Sequence, residues 1–131
     1  ASLPSGHLNV FEESQIVDRL VRWEAQMIRY RDEYYPSLPA QAAAQFMGLN
    51  RGQVTVVVAG GVQLGEQAFV PTDERGWTLI NYYGGAGSFP IEPATNFLPE
   101  ALPQTDLRDK LVFIGVTAAG TADFLATPFA E

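Results

Sequence analysis

The chain has no cysteine and one histidine among 131 residues. The first absence excludes a disulfide scaffold, a thiolate zinc site and a cysteine nucleophile. The second excludes a multi-histidine metal centre. His7 near the start reads as a structural histidine, and with no recognised serine motif a Ser-His-Asp triad has little to stand on. Basic residues are scarce as well: eight Lys and Arg face fifteen Asp and Glu, for a net charge of −7. Phosphate backbones and anionic membrane surfaces need a basic footprint, so nucleic acid is not an expected partner. No stretch approaches the roughly 20 apolar residues of a membrane-spanning helix. The start has no basic segment ahead of an apolar one, so no signal peptide is read there. The first residue is not Met, and the chain reads as a mature product or an excised piece of a longer protein.

What is present is enough for a core. Hydrophobic residues make up 47% and charged residues 18%, which excludes an acidic disordered chain. Ile16, Leu20, Trp23, Met27, Tyr30 and Tyr34 recur at helical spacing behind Ser14, a fitting N-cap. Two short strands over 16–23 and 26–31 are the competing reading, with Arg19 breaking their alternation. Ser37 predicts a helix running to about Met47, with Pro39 in its first turn, an alanine run, Gly48 at its end, and Leu38, Ala42, Phe46 and Leu49 as one stripe.

Strands are expected over 53–59, 62–64, 67–70, 77–83 (antiparallel to 67–70) and 111–116, and a short helix from 92 or 93 to 98. Gly60-Gly61 signals a hairpin and Pro71 to Gly76 a turn. The fold class expected is α/β: a single domain with a mixed β-sheet flanked by helices, its core strands at 54–59, 77–83 and 111–116. The 37–47 helix packs on that sheet, with Val112 and Ile114 buried.

Chemical motifs are weak. Gly115 to Thr121 nearly spells a phosphate-binding loop, but Thr121 stands where the lysine belongs. The 84–87 loop is not a dinucleotide fingerprint. Glu12-Glu13, Asp18 and Asp32-Glu33 fit a solvated face better than a calcium loop. Asp123 either caps a turn or faces a cleft. If strands 77–83 and 111–116 run parallel side by side, their ends gather Asn81, Tyr83, Gly85, Thr117, Gly120 and Asp123 at one edge, a polar set suited to a small ligand. No catalytic residue, metal site or cofactor is expected. A small hydrolase or nucleotide-binding enzyme using the glycine loops and Asp123 is the alternative from another class, and a structural dimerisation spacer is a third.

An ordered series of short motifs runs through the back half. Pro71-Thr72-Asp73-Glu74-Arg75-Gly76 leads to Ile80-Asn81-Tyr82-Tyr83-Gly84, then Ser88-Phe89-Pro90 and Asp109-Lys110-Leu111-Val112-Phe113-Ile114-Gly115. Thr117-Ala118-Ala119-Gly120, Asp123-Phe124 and Thr127-Pro128-Phe129 complete it. Over about residues 68–129 this order and spacing resembles the second type of CHASE domain, the bacterial cyclase- and histidine-kinase-associated extracellular sensors. Gly6-His7-Leu8-Asn9 and Tyr35-Pro36-Ser37-Leu38 are similar to the family less specifically. The family's Asp-Gly-x-x-Arg-Arg element is altered here to Asp18-Arg19-Leu20-Val21-Arg22-Trp23. The resemblance favours strands in that region, while periodicity favours helix.

The resemblance implies the later, C-terminal portion of a periplasmic or extracellular input domain, preceded by an α/β portion. Membrane helices would follow, then a cytoplasmic nucleotide cyclase, diguanylate cyclase, histidine kinase or Ser/Thr kinase. This fragment would itself be soluble and without catalytic activity. Its partner would be a small molecule or a periplasmic protein, and its signalling form a homodimer.

Overall fold

A computed structural model describes residues 5–8, 20–57, 59–85, 87–98, 106–116 and 126–129. They fall into two compact units. One comprises Ala1–Asn81 with Leu125–Pro128, the other Tyr82–Phe124 with Phe129–Glu131.

The first unit is built from hairpins and one helix. Strands β1 (Trp23–Ala25), β2 (Met27–Tyr30) and β3 (Glu33–Pro36) replace the helix that periodicity favours, and Ile16 with the rest of 14–19 lies outside the described residues. The helical spacing loses because the Arg31-Asp32 turn folds β2 back onto β3, with Arg31 in the left-handed region at φ 56°. Arg29 ties that turn, donating from Nε to the Arg31 carbonyl at 3.1 Å.

Helix α1 (Leu38–Phe46) starts where its cap predicts. The Ser37 Oγ accepts from the Ala40 N–H at 3.2 Å, and Pro39 sits in the first turn. Its end is closed by two reversed bonds, Gly48 N–H to Gln45 O at 3.0 Å and Leu49 N–H to Ala44 O at 2.9 Å. Gly48 takes φ 72°, the left-handed conformation that this stop requires. The buried stripe is Ala40 and Ala44, not the expected Leu38, Ala42 and Phe46; Phe46 is 58% exposed. Small side chains let the helix approach the sheet closely, and the bulkier residue stays outside.

Strands β4 (Val54–Val57), β5 (Gly61–Leu64) and β6 (Ala68–Pro71) form an antiparallel meander in that order. Val62 and Leu64 on the middle strand join Ala44 and Leu49 in the core, with Met27, Met47, Val54, Ala68 and Val70 packed around them. The next strand, β7 (Trp77–Leu79), does not pair with β6 as expected; it pairs antiparallel with β1. Two local causes act. Pro71 ends β6 without an N–H to extend a ladder, and the Asp73 turn redirects the chain. The Asp73 Oδ1 accepts from the N–H groups of Arg75 and Trp77, both at 2.9 Å, and Gly76 turns at φ 81°.

The result is three small antiparallel sheets and one α-helix, with the isolated His7–Ser37 bridge as the only parallel pairing among the described residues. Strands and a helix are combined as expected, but the described sheets are antiparallel and one α-helix stands where flanking helices were expected. Connections of two or three residues and proline stops make short local pairings, whereas parallel strands need long crossovers.

In the second unit a 3-10 turn spans Ala94–Phe97, within the short helix expected there. Residues 111–116 form no strand, and Val112 and Ile114, expected in the core, are 52% and 92% exposed. An apolar run does not by itself secure burial; among the described residues 111–116 pairs with no strand.

Candidate functional site

A groove of about 350 Å³ opens in the first unit between the β2–β3 hairpin, α1 and β4. It is lined by Met27, Tyr34, Pro36, Gln41, Arg51 and 54–56. Each wall has a local cause. Met27 and Pro36 face each other across the hairpin register, and Gln41 lies on the first turns of the Ser37-capped helix. Arg51 is held in a 3-10 turn over Arg51–Gln53. The Asn50 Oδ1 accepts from Gly52 N–H at 3.0 Å, and the Gln53 Oε1 accepts from Asn50 N–H at 3.1 Å.

The Arg51 guanidinium reaches back to Glu33 on β3, Nη2 to Oε2 at 3.5 Å, with both side chains well exposed. The Tyr35 hydroxyl donates to the same Glu33 oxygen at 3.0 Å, and that carboxylate holds the Tyr35 phenol above its ordinary range. Glu33 and Tyr35 alternate along β3 with the groove-lining Tyr34 and Pro36, so the Tyr35–Glu33–Arg51 chain runs beside the groove, and Arg51 is the residue common to both.

Along β4 the main chain is oriented toward the outside on alternate residues. Gly65 N–H donates to Gln53 O at 2.8 Å, so Gln53, Thr55 and Val57 exchange bonds with β5, and Val54 and Val56 turn their backbone groups away from it.

Beside the groove lies a buried polar network. Gln26 and Ser37 are 6% and 0% exposed. Ser37 Oγ donates to Gln26 Oε1 at 3.4 Å, and Gln26 Nε2 donates to Glu24 Oε2 at 3.3 Å. The backbone closes it: Ser37 N–H to Gln26 O at 2.8 Å, Leu38 N–H to His7 O at 2.8 Å, His7 N–H to Pro36 O at 3.0 Å. Burial raises the Glu24 carboxyl above its ordinary value, against the opposing hydrogen bonds of Gln26 and Ser37. Burial likewise lowers the His7 imidazole. The Ser37 hydroxyl, enclosed and engaged as a helix cap, is a structural group rather than a nucleophile.

A family model for the CHASE2 domain matches residues 3–131. The chain belongs to the CHASE2 family. It is therefore a domain of an extracellular sensory family, and not of a catalytic one. No curated protein and no solved structure matches the chain.

Several motifs that carried the resemblance have structural work in this CHASE2 domain. The Pro71–Gly76 motif is the Asp73 turn that delivers β7 to β1, and the Gly76 carbonyl accepts from Gln26 N–H at 3.0 Å. Ile80 N–H continues the pairing to Arg22 O at 2.8 Å. At the far end Ala126 O accepts from Val21 N–H at 2.8 Å, and the Phe129 ring meets Tyr82 edge-on at 6.2 Å.

Of the six ligand candidates, Asn81 is exposed at the end of the first unit. Tyr83 and Gly85 belong to the second: Tyr83 is 84% exposed with its ring edge-on to Phe89 at 6.1 Å, and the Gly85 carbonyl accepts from Ser88 N–H and Oγ. Thr117, Gly120 and Asp123 lie outside the described residues, as do Glu12, Glu13 and Asp18. β7 pairs with β1, and 111–116 carries no ladder among the described residues. Asp32 and Glu33 stand on the surface in pairs with Arg29 and Arg51.

The groove was not legible in advance. Its lining comes from β2, β3, α1, the 51–53 turn and β4, whose juxtaposition no sequence spacing encodes; the one local signal is the Asn50–Gln53 capping pair that brackets Arg51. Among the described residues no cluster of His, Asp or Glu is arranged to hold a metal ion, and no helix is long and apolar enough to cross a membrane.

Proposed function

We propose that this CHASE2 domain is the input module of a membrane-bound bacterial receptor, on the extracytoplasmic face of the cell membrane, and that it forms the later part of the full sensor. A small molecule or a periplasmic protein would bind it and bias a two-state receptor through differential affinity for the two states. The output would be a nucleotide cyclase, a diguanylate cyclase or a kinase, with the receptor acting as a homodimer. The observation that carries this reading is the family match over residues 3–131.

The test is a domain exchange in a receptor carrying this domain. Replacing it with an unrelated dimerising domain should abolish stimulus-dependent output while leaving basal output. Unchanged regulation after the exchange would make the domain a spacer. Turnover of an esterase, phosphatase or nucleotidase substrate that is lost on Asp123→Ala would make it an enzyme.

A further inference from the structure

We infer that the groove between the β2–β3 hairpin, α1 and β4 is the ligand site of this domain, and that it takes a small organic acid: a carboxylate on an aliphatic or aromatic body. The inference deepens the sensory reading and takes its biological meaning from it. Three observations converge.

The first is size. About 350 Å³ falls within the roughly 300–1,000 Å³ of small-molecule sites, near the lower end. The second is the distribution of chemistry. Met27, Pro36, Val54 and Val56 are the apolar residues of the lining; Tyr34 and Gln41 carry a hydroxyl and an amide; Arg51 is the one charged residue in it. The outward backbone groups of Val56 add a donor and an acceptor on the β4 side.

The third is charge complementarity. The chain carries an excess of seven negative charges, so an anion is repelled generally and held only where a cation is placed. Arg51 already shows that a carboxylate can reach it, through Glu33. That contact, at 3.5 Å and on an exposed surface, is longer than the roughly 2.7–2.9 Å of a strong charge-assisted bond, and pairs of this kind contribute little. The planar guanidinium has five donors, and Glu33 meets one nitrogen. A ligand carboxylate over the groove can take a bidentate pair with Arg51 while its body covers Met27 and Val54, and Glu33 then competes with it.

The experiment is a titration of the isotope-labelled chain with 3-phenylpropionate, 4-methylpentanoate and benzoate, followed by amide resonances. Saturable shifts are expected at Met27, Tyr34, Gln41, Arg51, Val54 and Val56 with at least one of the three acids. Arg51→Gln should weaken that binding at least about tenfold, as loss of a hydrogen bond to a charged group predicts. Glu33→Gln should tighten it by removing the competing carboxylate. 3-Phenylpropanol, which lacks the charge, should bind more weakly than its acid.

No saturable shift at these residues with any of the acids overturns the assignment, and so does binding indifferent to Arg51→Gln. Output of a receptor carrying the domain is read separately. Acid binding without any effect on output leaves the site standing and sinks the sensory reading. A stimulus response that survives Arg51→Gln unchanged, with no acid bound, sinks the site and leaves the sensory reading.

Discussion

The two units of this chain differ in what they do with apolar residues. Val21, Ala25, Ala40, Ala44, Leu49, Val62 and Leu64 are all buried and all belong to the first unit. In the second, Tyr83, Phe89, Ile91, Phe113 and Ile114 are each more than 60% exposed. Hydrophobic content alone does not account for this, since 111–116 is as apolar as β4. The first unit holds devices that convert content into burial: a two-residue hairpin turn, a helix capped at both ends, and an Asp73 turn that sends β7 to β1. The described part of the second unit holds turns, such as Asp106 accepting from Arg108 N–H at 3.0 Å, but no ladder.

The largest expected contrast is between core truncations. Leu64→Ala, at a side chain 2% exposed, should cost about 2–5 kcal/mol of unfolding free energy by chemical denaturation. A cost under about 1 kcal/mol would mean that the meander is not the core that the packing indicates.

Ser37→Ala comes next. It removes the cap of α1 and the link to Gln26, and should cost about 1–2 kcal/mol, with Ser37→Thr largely restoring it. Equal loss in both variants would show that packing volume, not the hydroxyl, is what matters there.

Glu24→Gln should have a smaller, pH-dependent effect. Burial raises the folded-state carboxyl above 4.5, so between the two values the folded chain binds protons more tightly than the unfolded chain. Stability from this group is fully present below 4.5 and falls as pH rises through the raised value. The melting temperature of the variant should therefore gain on the wild type between about pH 4 and pH 7. A constant difference across that range would mean the carboxyl is solvated in the folded state.

The smallest effect is expected at Ile114→Ser. At a residue 92% exposed, the change should stay within about 0.5 kcal/mol. A loss comparable to Leu64→Ala would break the comparison outright, because it would show 111–116 packed in solution.

Local signals suffice where one short segment carries the whole device. Ser37, Pro39 and Gly48 specified α1, and Gly60-Gly61 the β4–β5 hairpin, because caps and turns act over a few residues. Over 20–34 the steps of three and four fit a helix and not the period of two of a strand, and the strands form nonetheless because the Arg31-Asp32 turn lets β3 pair back onto β2. The pairing of β7 with β1, 52 residues apart at Ala25 and Trp77, left no local trace. The groove was illegible for the same reason, since Met27, Gln41, Arg51 and Val54 are brought together by three separate turns.

The amino-acid sequence by itself determined the family, through the order and spacing of its motifs, and the local starts and stops of most elements. It also set the acidic balance of the chain, fifteen Asp and Glu against eight Lys and Arg. Only the tertiary structure decided which strands pair, which apolar residues are buried and where Arg51 meets Glu33. Those outcomes depend on contacts between segments far apart in the chain, whose cost in loop closure and gain in burial are settled jointly by the whole fold.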